Sequence, residues 1–202
     1  MSRQGLIYIV SAPSGAGKTS LCKELLATFP ELQMSISYTT RPIRSGEADG
    51  VDYHFVSTEI FKKMIEEKSF AEWAEVHGNY YGTSLAVLEQ AQQDGHDVLL
   101  DIDCQGAAQL KKNLGNGVFI FILPPNLDEL EKRLVDRKTD SADVVNKRIE
   151  NARKEIPEAR WYDYIVVNDN FDFALLELKA ILMAETCRTR VALSPLQDVF
   201  EF

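Results

Sequence analysis

The residues best suited to chemistry form one short run near the start of the chain. Residues 10–20 read Val-Ser-Ala-Pro-Ser-Gly-Ala-Gly-Lys-Thr-Ser, and they follow the apolar run 6–10, which predicts a strand. Gly15 and Gly17 allow backbone N–H groups to turn toward an anion. A helix-period pattern over 19–29 comes next and adds the positive end of a helix. The run therefore predicts a phosphate-binding loop (P-loop) that binds a nucleoside triphosphate.

Two side chains of this loop have separate predicted roles. Lys18 would reach the β- and γ-phosphates, and the hydroxyl of Thr19 would bind Mg²⁺. The common pattern begins with Gly where this chain has Ala12, but Gly-x-Gly-Lys-Thr carries most of the phosphate chemistry. A chance Gly-Lys-Thr in an ordinary strand–turn–helix is the alternative, and the flanking patterns argue against it. The predicted ATP-binding residues are Ala12, Pro13, Ser14, Gly15, Ala16, Gly17, Lys18 and Thr19.

Two aspartates stand at the end of a second apolar run, 97–102. Asp101 and Asp103 are two residues apart, so they share one face of a strand. A strand-end aspartate is the usual partner of the Mg²⁺ that a P-loop hydroxyl holds. We assign this role to Asp101 and expect Asp103 to face another group. The alternative for either residue is a helix N-cap.

The segment 37–44 places Arg41 and Arg44 on either side of a proline that prevents helix formation. Guanidinium groups bind phosphate oxygens in a bidentate manner, so the pair predicts a second phosphate site. Solvated surface arginines are the alternative. Hydroxyl groups and carboxylates that could complete such a site follow in Asp52, Tyr53, Glu72 and the run 79–83.

Further arginines flank the segment 136–148, which is charged and begins without core residues. That composition predicts a mobile lid. Arg133 and Arg137 are four residues apart and share a helix face, and Arg148 lies at the far end of the segment. Such permanent positive charge suits phosphoryl transfer, in which negative charge moves between donor and acceptor oxygens. The three histidines show no metal-ligand spacing and are expected to be structural or surface residues.

Strand and helix patterns alternate along the chain. Nearly continuous apolar runs, typical of strands with helices on both faces, lie at 6–10, 97–102, 118–123 and 164–168. Helical patterns lie at 19–29, 58–67, 105–113, 126–135, 142–157 and 172–188. The alternation predicts a P-loop three-layer α/β fold, a doubly wound parallel central sheet with its ligand site at the carboxyl ends of the strands.

Two segments interrupt this alternation and divide the predicted domain. Residues 34–84 mix short strand-like pieces with one helix and predict an inserted mixed α/β subdomain that binds the second substrate. The tail is apolar from residue 191 onward, so it could dock on its own core or form an oligomer contact. The predicted division is a core of 4–33, 85–135 and 149–186, the insert 34–84, the lid 136–148 and the tail 187–202.

Composition limits the class of protein and its partners. The 202 residues are 45% hydrophobic and 26% charged, which fits one soluble α/β domain. A net charge of −9 argues against non-specific nucleic-acid binding, because phosphate contacts need a basic face. Three widely spaced cysteines predict reduced thiols. With no secretion signal and no apolar stretch of about 20 residues, we expect a cytoplasmic protein without a membrane partner.

Together the motifs resemble those of the guanylate kinase family, in the same order and spacing over residues 4–186. The runs that carry the resemblance are Ser-Ala-Pro-Ser-Gly-Ala-Gly-Lys-Thr, Ser-x-Thr-Thr-Arg-Pro-x-Arg-x-Gly-Glu, Gly-x-Asp-Tyr-x-Phe, Glu-Trp-Ala-Glu-Val, Gly-Asn-Tyr-Tyr-Gly-Thr and Leu-Asp-Ile-Asp-x-Gln-Gly. The resemblance implies Mg²⁺-dependent transfer of the γ-phosphate of ATP to GMP, giving ADP and GDP, in purine nucleotide metabolism.

The resemblance also implies roles for individual residues. Glu72 and Asp103 would match the carboxylates that recognise guanine, and Arg137 and Arg148 would match the lid and catalytic arginines. The remaining GMP-binding residues, mainly around the phosphate, would be Ser37, Arg41, Arg44, Tyr53, Tyr81 and Thr83.

Two alternative functions remain at this stage. A P-loop kinase for another monophosphate is one, but adenine or a bare sugar phosphate would not need two carboxylate acceptors in the pocket. A non-catalytic guanylate-kinase-like interaction module is the other, but such modules lose the phosphate chemistry that Lys18, Thr19, Arg137 and Arg148 represent here.

Overall fold

A computed structural model describes residues 3–76, 78–136 and 141–200. Its strands are β1 Ile7–Ser11, β2 Leu32–Met34, β3 Tyr38–Thr39, β4 His54–Phe55, β5 Phe70–Val76, β6 Asn79–Ser84, β7 Asp97–Asp101, β8 Val118–Leu123 and β9 Tyr164–Val167. Its helices are α1 Lys18–Thr28, α2 Thr58–Glu66, α3 Leu85–Gln93, α4 Cys104–Asn113, α5 Leu127–Asp136, α6 Ala142–Glu155, α7 Phe171–Thr186, α8 Thr189–Ala192 and α9 Gln197–Phe200. A 3₁₀ segment, Ile156–Trp161, joins α6 to the chain leading into β9.

The central sheet is parallel and has the order β2-β7-β1-β8-β9 in the described residues. β1 is fully buried, because helices cover both of its faces. Tyr8 and Val10 pack toward α1 and α7, whereas Ile7 and Ile9 pack toward α3 and α4. These alternating contacts confirm the predicted three-layer α/β fold.

The predicted apolar runs correspond to β1, β7, β8 and β9 to within one residue at each end. The structure adds β2 and α3, which the sequence patterns did not predict. β2 has three residues, and only Leu32 is buried, so it gives no apolar run. α3 begins after Ser84, whose hydroxyl accepts a hydrogen bond from the N–H of Val87.

The insert forms a second sheet with the order β4-β3-β6-β5. The β3–β4 pair is parallel, and the β3–β6 and β5–β6 pairs are antiparallel. α2 covers this sheet through Phe61, whose ring stacks on Phe70 with a centroid distance of 4.4 Å. The mixed α/β character predicted for residues 34–84 is therefore present, although Met34 itself belongs to the central sheet.

Side chains of α4 bind the outer edge of β5. Gln109 Oε1 accepts from the N–H of Trp73 at 3.2 Å, and Gln109 Nε2 donates to the Trp73 carbonyl at 2.7 Å. Asn113 Nδ2 donates to the carbonyl of Ala71 at 3.0 Å. These hydrogen bonds attach the insert to a helix of the core.

α5 and α6 share a small apolar cluster that is separate from the two clusters of the central sheet. It consists of Leu130, Leu134, Val145, Ile149 and Ala152. Of the predicted lid 136–148, residues 137–140 lie outside the described residues, and 142–148 form the first turns of α6. The extent of the lid stays a prediction.

The tail is attached to the core at Val191, which is buried in the same apolar cluster as Leu182. Glu185, at the end of α7, is also buried and accepts from the hydroxyl of Tyr164 and from Arg188. Val199 and Phe200 are exposed. Among the described residues, no helix is both long and apolar enough to cross a membrane.

Candidate active site

The P-loop has the backbone that its glycines predict. Gly15 and Gly17 have φ values of +94° and +93°, in the region that L residues with side chains rarely adopt. Asn168, the residue after β9, donates through Nδ2 to the carbonyl of Ala16 at 2.8 Å. A Cβ on Gly17 would lie 2.4 Å from that same nitrogen, so the second glycine is also required by packing.

Lys18 and Asp101 meet at the mouth of this loop. Lys18 Nζ lies 2.5 Å from Asp101 Oδ1 and donates to the carbonyl of Ile102 at 2.8 Å. Both side chains retain some exposure to the cavity beside them. Lys18 begins α1 and Asp101 ends β7, so the start of the helix and the end of the strand place a cation beside a carboxylate.

A cavity of about 440 Å³ lies over the P-loop. Its lining includes the predicted ATP-binding residues Ala12, Pro13, Ser14, Gly15, Gly17, Lys18 and Thr19, together with Asp101. Ala16 is buried beneath them. The cavity therefore brings the predicted triphosphate and metal residues into one place.

A second cavity of about 240 Å³ lies between the insert and the core. Its lining includes the predicted GMP-binding residues Ser37, Tyr53, Glu72, Tyr81 and Asp103. Lys18, Ser37, Tyr53, Asp101 and Asp103 line both cavities, so the two are neighbouring parts of one cleft.

Glu72 is the most deeply buried carboxyl group of this cleft, with 5% of its surface exposed. Its Oε1 accepts from Thr83 Oγ1 at 2.6 Å. Burial raises the pKa of Glu72 against the opposing hydrogen bonds of Thr83, the charge of Asp103 adds a smaller increase, and the net result is a pKa of about 7. Thr83 does not line this cavity itself, but it holds the carboxyl group of Glu72 that does.

Asp103 both caps a helix and lines the cleft. Its Oδ1 accepts from the N–H of Gly106 at 2.8 Å, which makes Asp103 the N-cap of α4. The N-cap alternative considered from the sequence is therefore realised for this residue, while the side chain also faces both cavities.

The two arginines predicted to converge on one phosphate are placed differently from each other. Arg41 makes a bidentate ion pair with Glu47, with N–O distances of 3.0 and 2.7 Å, and its guanidinium lies 5.4 Å from the centre of the Tyr53 ring. Arg44 is exposed, and its N–H donates to Glu47. Glu47 therefore organises this loop, which the sequence patterns did not predict. The phosphate-binding roles of both arginines stay predictions.

Arg137 lies outside the described residues, and Arg148 lies on α6. Arg133, which the sequence grouped with them, donates to the carbonyl of Asn168 at 3.0 Å and to Glu129. With Asn168 and Phe171 it lines a further cleft of about 450 Å³ on the other side of Gly15 and Gly17.

The donor set at the P-loop suits Mg²⁺, which prefers oxygen ligands. The hydroxyl of Thr19 and the carboxylate of Asp101 line the same cavity. Among the residues described, no three or more His, Cys, Asp or Glu side chains are arranged to hold a metal by themselves. A Mg²⁺ ion here would take its other ligands from phosphate and water, as this ion commonly does.

Comparison with known proteins agrees with this arrangement. The sequence profile of the guanylate kinase family matches residues 4–185. The chain is 58% identical to guanylate kinase from Syntrophotalea carbinolica over 93% of this chain and 90% of that protein. It is 54% identical to guanylate kinase from Geobacter metallireducens over 100% of this chain and 99% of that protein.

A solved structure gives the same result for the fold. The crystal structure of guanylate kinase from Anaplasma phagocytophilum aligns with a TM-score of 0.77 and 31% identity, covering 100% of this chain and 98% of the other. Because the profile and both relatives match nearly the whole chain, through the P-loop, the insert and α6 alike, the chain belongs to the guanylate kinase family.

Proposed function

We propose that the chain catalyses ATP + GMP = ADP + GDP with Mg²⁺, as a step of purine nucleotide metabolism. The observation that carries this proposal is the shared lining of two neighbouring cavities. One has the P-loop at its base, and the other contains Glu72 and Asp103. A donor phosphate and an acceptor phosphate could therefore meet next to Lys18, which lines both.

In the reaction, an oxygen of the GMP phosphate attacks the γ-phosphorus of ATP as the bond to the β-phosphate oxygen breaks and ADP leaves. The protein contributes position and charge rather than covalent chemistry. P-loop N–H groups and Lys18 would bind the donor phosphates, and the adenosine would lie in the cleft beside Arg133 and Phe171. Bound Mg²⁺, held by Thr19 and Asp101, would neutralise charge on the β- and γ-phosphates.

The acceptor would be bound at both ends. Guanine presents donors at N1–H and at the 2-amino group, and the carboxyl oxygens of Glu72 and Asp103 can accept from them. Ser37, Arg41, Arg44, Tyr53 and Tyr81 would hold the phosphate end. Arg137 and Arg148 would add positive charge around the transferred group.

A coupled assay of ADP release tests this function. Purified full-length chain would be assayed with Mg²⁺-ATP and each of GMP, AMP, CMP and UMP. We expect GMP to be preferred by about 10⁴-fold, because a site built on hydrogen bonds rejects bases that leave its buried Glu72 carboxyl group unpaired. EDTA should abolish the activity and added Mg²⁺ should restore it. Equal turnover of AMP and GMP, or none with GMP, would disprove the proposal.

The partners follow from the same reasoning. We propose ATP and GMP as substrates, a cytoplasmic location, and no nucleic-acid or membrane partner, given the net charge of −9. A homo-oligomer also remains part of the proposal, because Val199 and Phe200 of the tail are exposed. Sedimentation of the active enzyme tests the association state.

A further inference from the structure

Gly106, in the first turn of α4, is a glycine that its own backbone does not require. Its φ is not positive, and it lies inside a regular helix, where alanine is the better residue. A Cβ on Gly106 would lie 2.5 Å from Glu72 Oε2 and 3.1 Å from Glu72 Cδ. The reason for glycine at this position is therefore space for a carboxylate on another element.

Glu72 cannot easily move away from such a Cβ. Its other oxygen, Oε1, is held by Thr83 at 2.6 Å, and both side chains are buried. A methyl group at position 106 would thus displace the carboxylate, break the Thr83 hydrogen bond or push α4 away. Each of these outcomes moves an oxygen that lines the cavity between insert and core.

Gly106 also contacts the second carboxylate of this cavity. Its N–H donates to Asp103 Oδ1 at 2.8 Å. Asp103 lies on the core and Glu72 on the insert, so their separation depends on how closely β5 approaches α4. One residue therefore contacts both groups at the point where the two parts of the molecule meet.

We propose that Gly106 is a positioning residue for base specificity: its N–H orients Asp103, and its missing side chain lets Glu72 lie against α4. This inference rests on the proposed function, in which these two carboxylates read guanine. It predicts a specificity defect from a substitution that improves helix propensity and touches no substrate phosphate.

The test is Gly106→Ala in the full-length enzyme, with steady-state kinetics for GMP and for IMP, which lacks the 2-amino group. We expect KM for GMP to rise roughly tenfold or more, as for a buried hydrogen bond lost. The preference for GMP over IMP should narrow, and KM for ATP should stay within about twofold of the wild type. Ala108→Gly, an exposed position of the same helix, is the matched control and should leave KM for GMP unchanged.

A double variant, Gly106→Ala with Glu72→Asp, tests the steric reasoning and also covers poor folding of the single variant. The shorter side chain of aspartate makes room for the methyl group. Adding Gly106→Ala to Glu72→Asp should therefore reduce the preference for GMP over IMP by a smaller factor than adding it to the wild type. Equal costs in both backgrounds, or an unchanged KM for GMP in Gly106→Ala, would overturn the inference. Failure of the wild type to phosphorylate GMP would instead disprove the proposed function.

Discussion

Glu72 shows how single residues set the electrostatics of the cleft. The carboxyl group is buried, and it forms no ion pair with any residue that the structure describes. Burial and the neighbouring Asp103 raise its pKa to about 7, whereas a solvated glutamate titrates near 4.5. Between these two pH values the folded protein holds a proton that the unfolded chain has lost. Stability therefore falls as pH rises from about 4.5 to about 7.

Replacing Glu72 with glutamine should remove this pH dependence. A change of pKa from 4.5 to about 7 corresponds to about 3 kcal/mol. The free energy of unfolding of the wild type, relative to that of Glu72→Gln, should be larger at pH 5 than at pH 8 by up to this amount. Urea unfolding of both proteins at the two pH values measures it. Glu75→Gln, at an exposed position of the same strand, is the control; identical pH profiles for wild type and Glu72→Gln would contradict the expectation.

Lys18, at the mouth of the P-loop, is the second residue for which we predict the effect of a substitution. Lys18→Met removes the charge that we assign to the donor phosphates, and we expect kcat to fall by at least about 10²–10³-fold. The fold should remain intact, because Asp101 keeps some exposure to solvent when its partner is lost. Lys23→Met, on the exposed side of the same helix, should retain activity. Turnover of Lys18→Met at the wild-type rate would disprove the P-loop assignment.

At the scale of elements, the pair α5 and α6 is joined to the P-loop by packing. Its apolar cluster is its own, but methyl groups of Leu130 and Leu134 lie over Gly15, within 2.9 Å of where a Cβ would be. α6 carries Arg148 on a helix whose other face is buried in this cluster. Movement of these helices would therefore change the packing over the P-loop and the position of Arg148 together.

Arg148→Ala should lower kcat more than it changes KM for GMP. The proposed partner of this guanidinium is the charge of the transition state, and interactions made only there appear in kcat. Steady-state kinetics with GMP as the varied substrate separates the two constants. Arg153→Ala, an exposed arginine of the same helix, is the control. A large rise in KM with unchanged kcat would make Arg148 a GMP-binding residue instead.

At the scale of the whole molecule, the tail contributes Val191 to one of the two apolar clusters of the core. Val191 is only 7% exposed and belongs to the same apolar cluster as Leu182, whereas Val199 is 67% exposed. The two ends of the tail therefore differ in burial. Two roles are expected from the sequence for this apolar segment, docking on its own core or an oligomer contact, and Val191 takes the first of them.

Val191→Ala should lower the free energy of unfolding by about 1–3 kcal/mol, because it removes buried methyl groups and leaves a cavity. Val199→Ala should change stability by less than about 0.5 kcal/mol. Urea unfolding compares the two, and sedimentation velocity of each variant reports the association state. A change in sedimentation coefficient with Val199→Ala would identify the end of the tail as an oligomer contact; equal stability losses for both variants would contradict the placement of Val191.

Local patterns predicted the fold and the P-loop well, since they depend on neighbouring residues. Apolar runs located β1, β7, β8 and β9, and the positive φ values of Gly15 and Gly17 follow from the loop motif itself. Local patterns could not predict contacts between residues that are distant in the sequence. Asn168 donates a hydrogen bond to Ala16, 152 positions away, and Glu72 of another element occupies the space that a side chain at Gly106 would need.

The loop after β3 shows the same limit at shorter range. Arg41 and Arg44 are predicted from the sequence to bind one phosphate, which stays a prediction, and in the structure the guanidinium of Arg41 pairs with Glu47, six positions away. That ion pair depends on the turn between them, which residue type alone does not specify. Sequence spacing thus did not predict the orientation of the Arg41 side chain.

The hydrogen bonds from α4 to β5 have a consequence for how the protein behaves in a concentrated solution. An edge strand with free N–H and carbonyl groups is a template on which another chain can pair and aggregate. Along β5 the groups of Ala71 and Trp73 are already taken by the side chains of Asn113 and Gln109. The two side-chain amides thus occupy backbone groups that a further strand would otherwise bind. They protect the insert from edge-to-edge association at the place where the exposed ring of Trp73 would favour it.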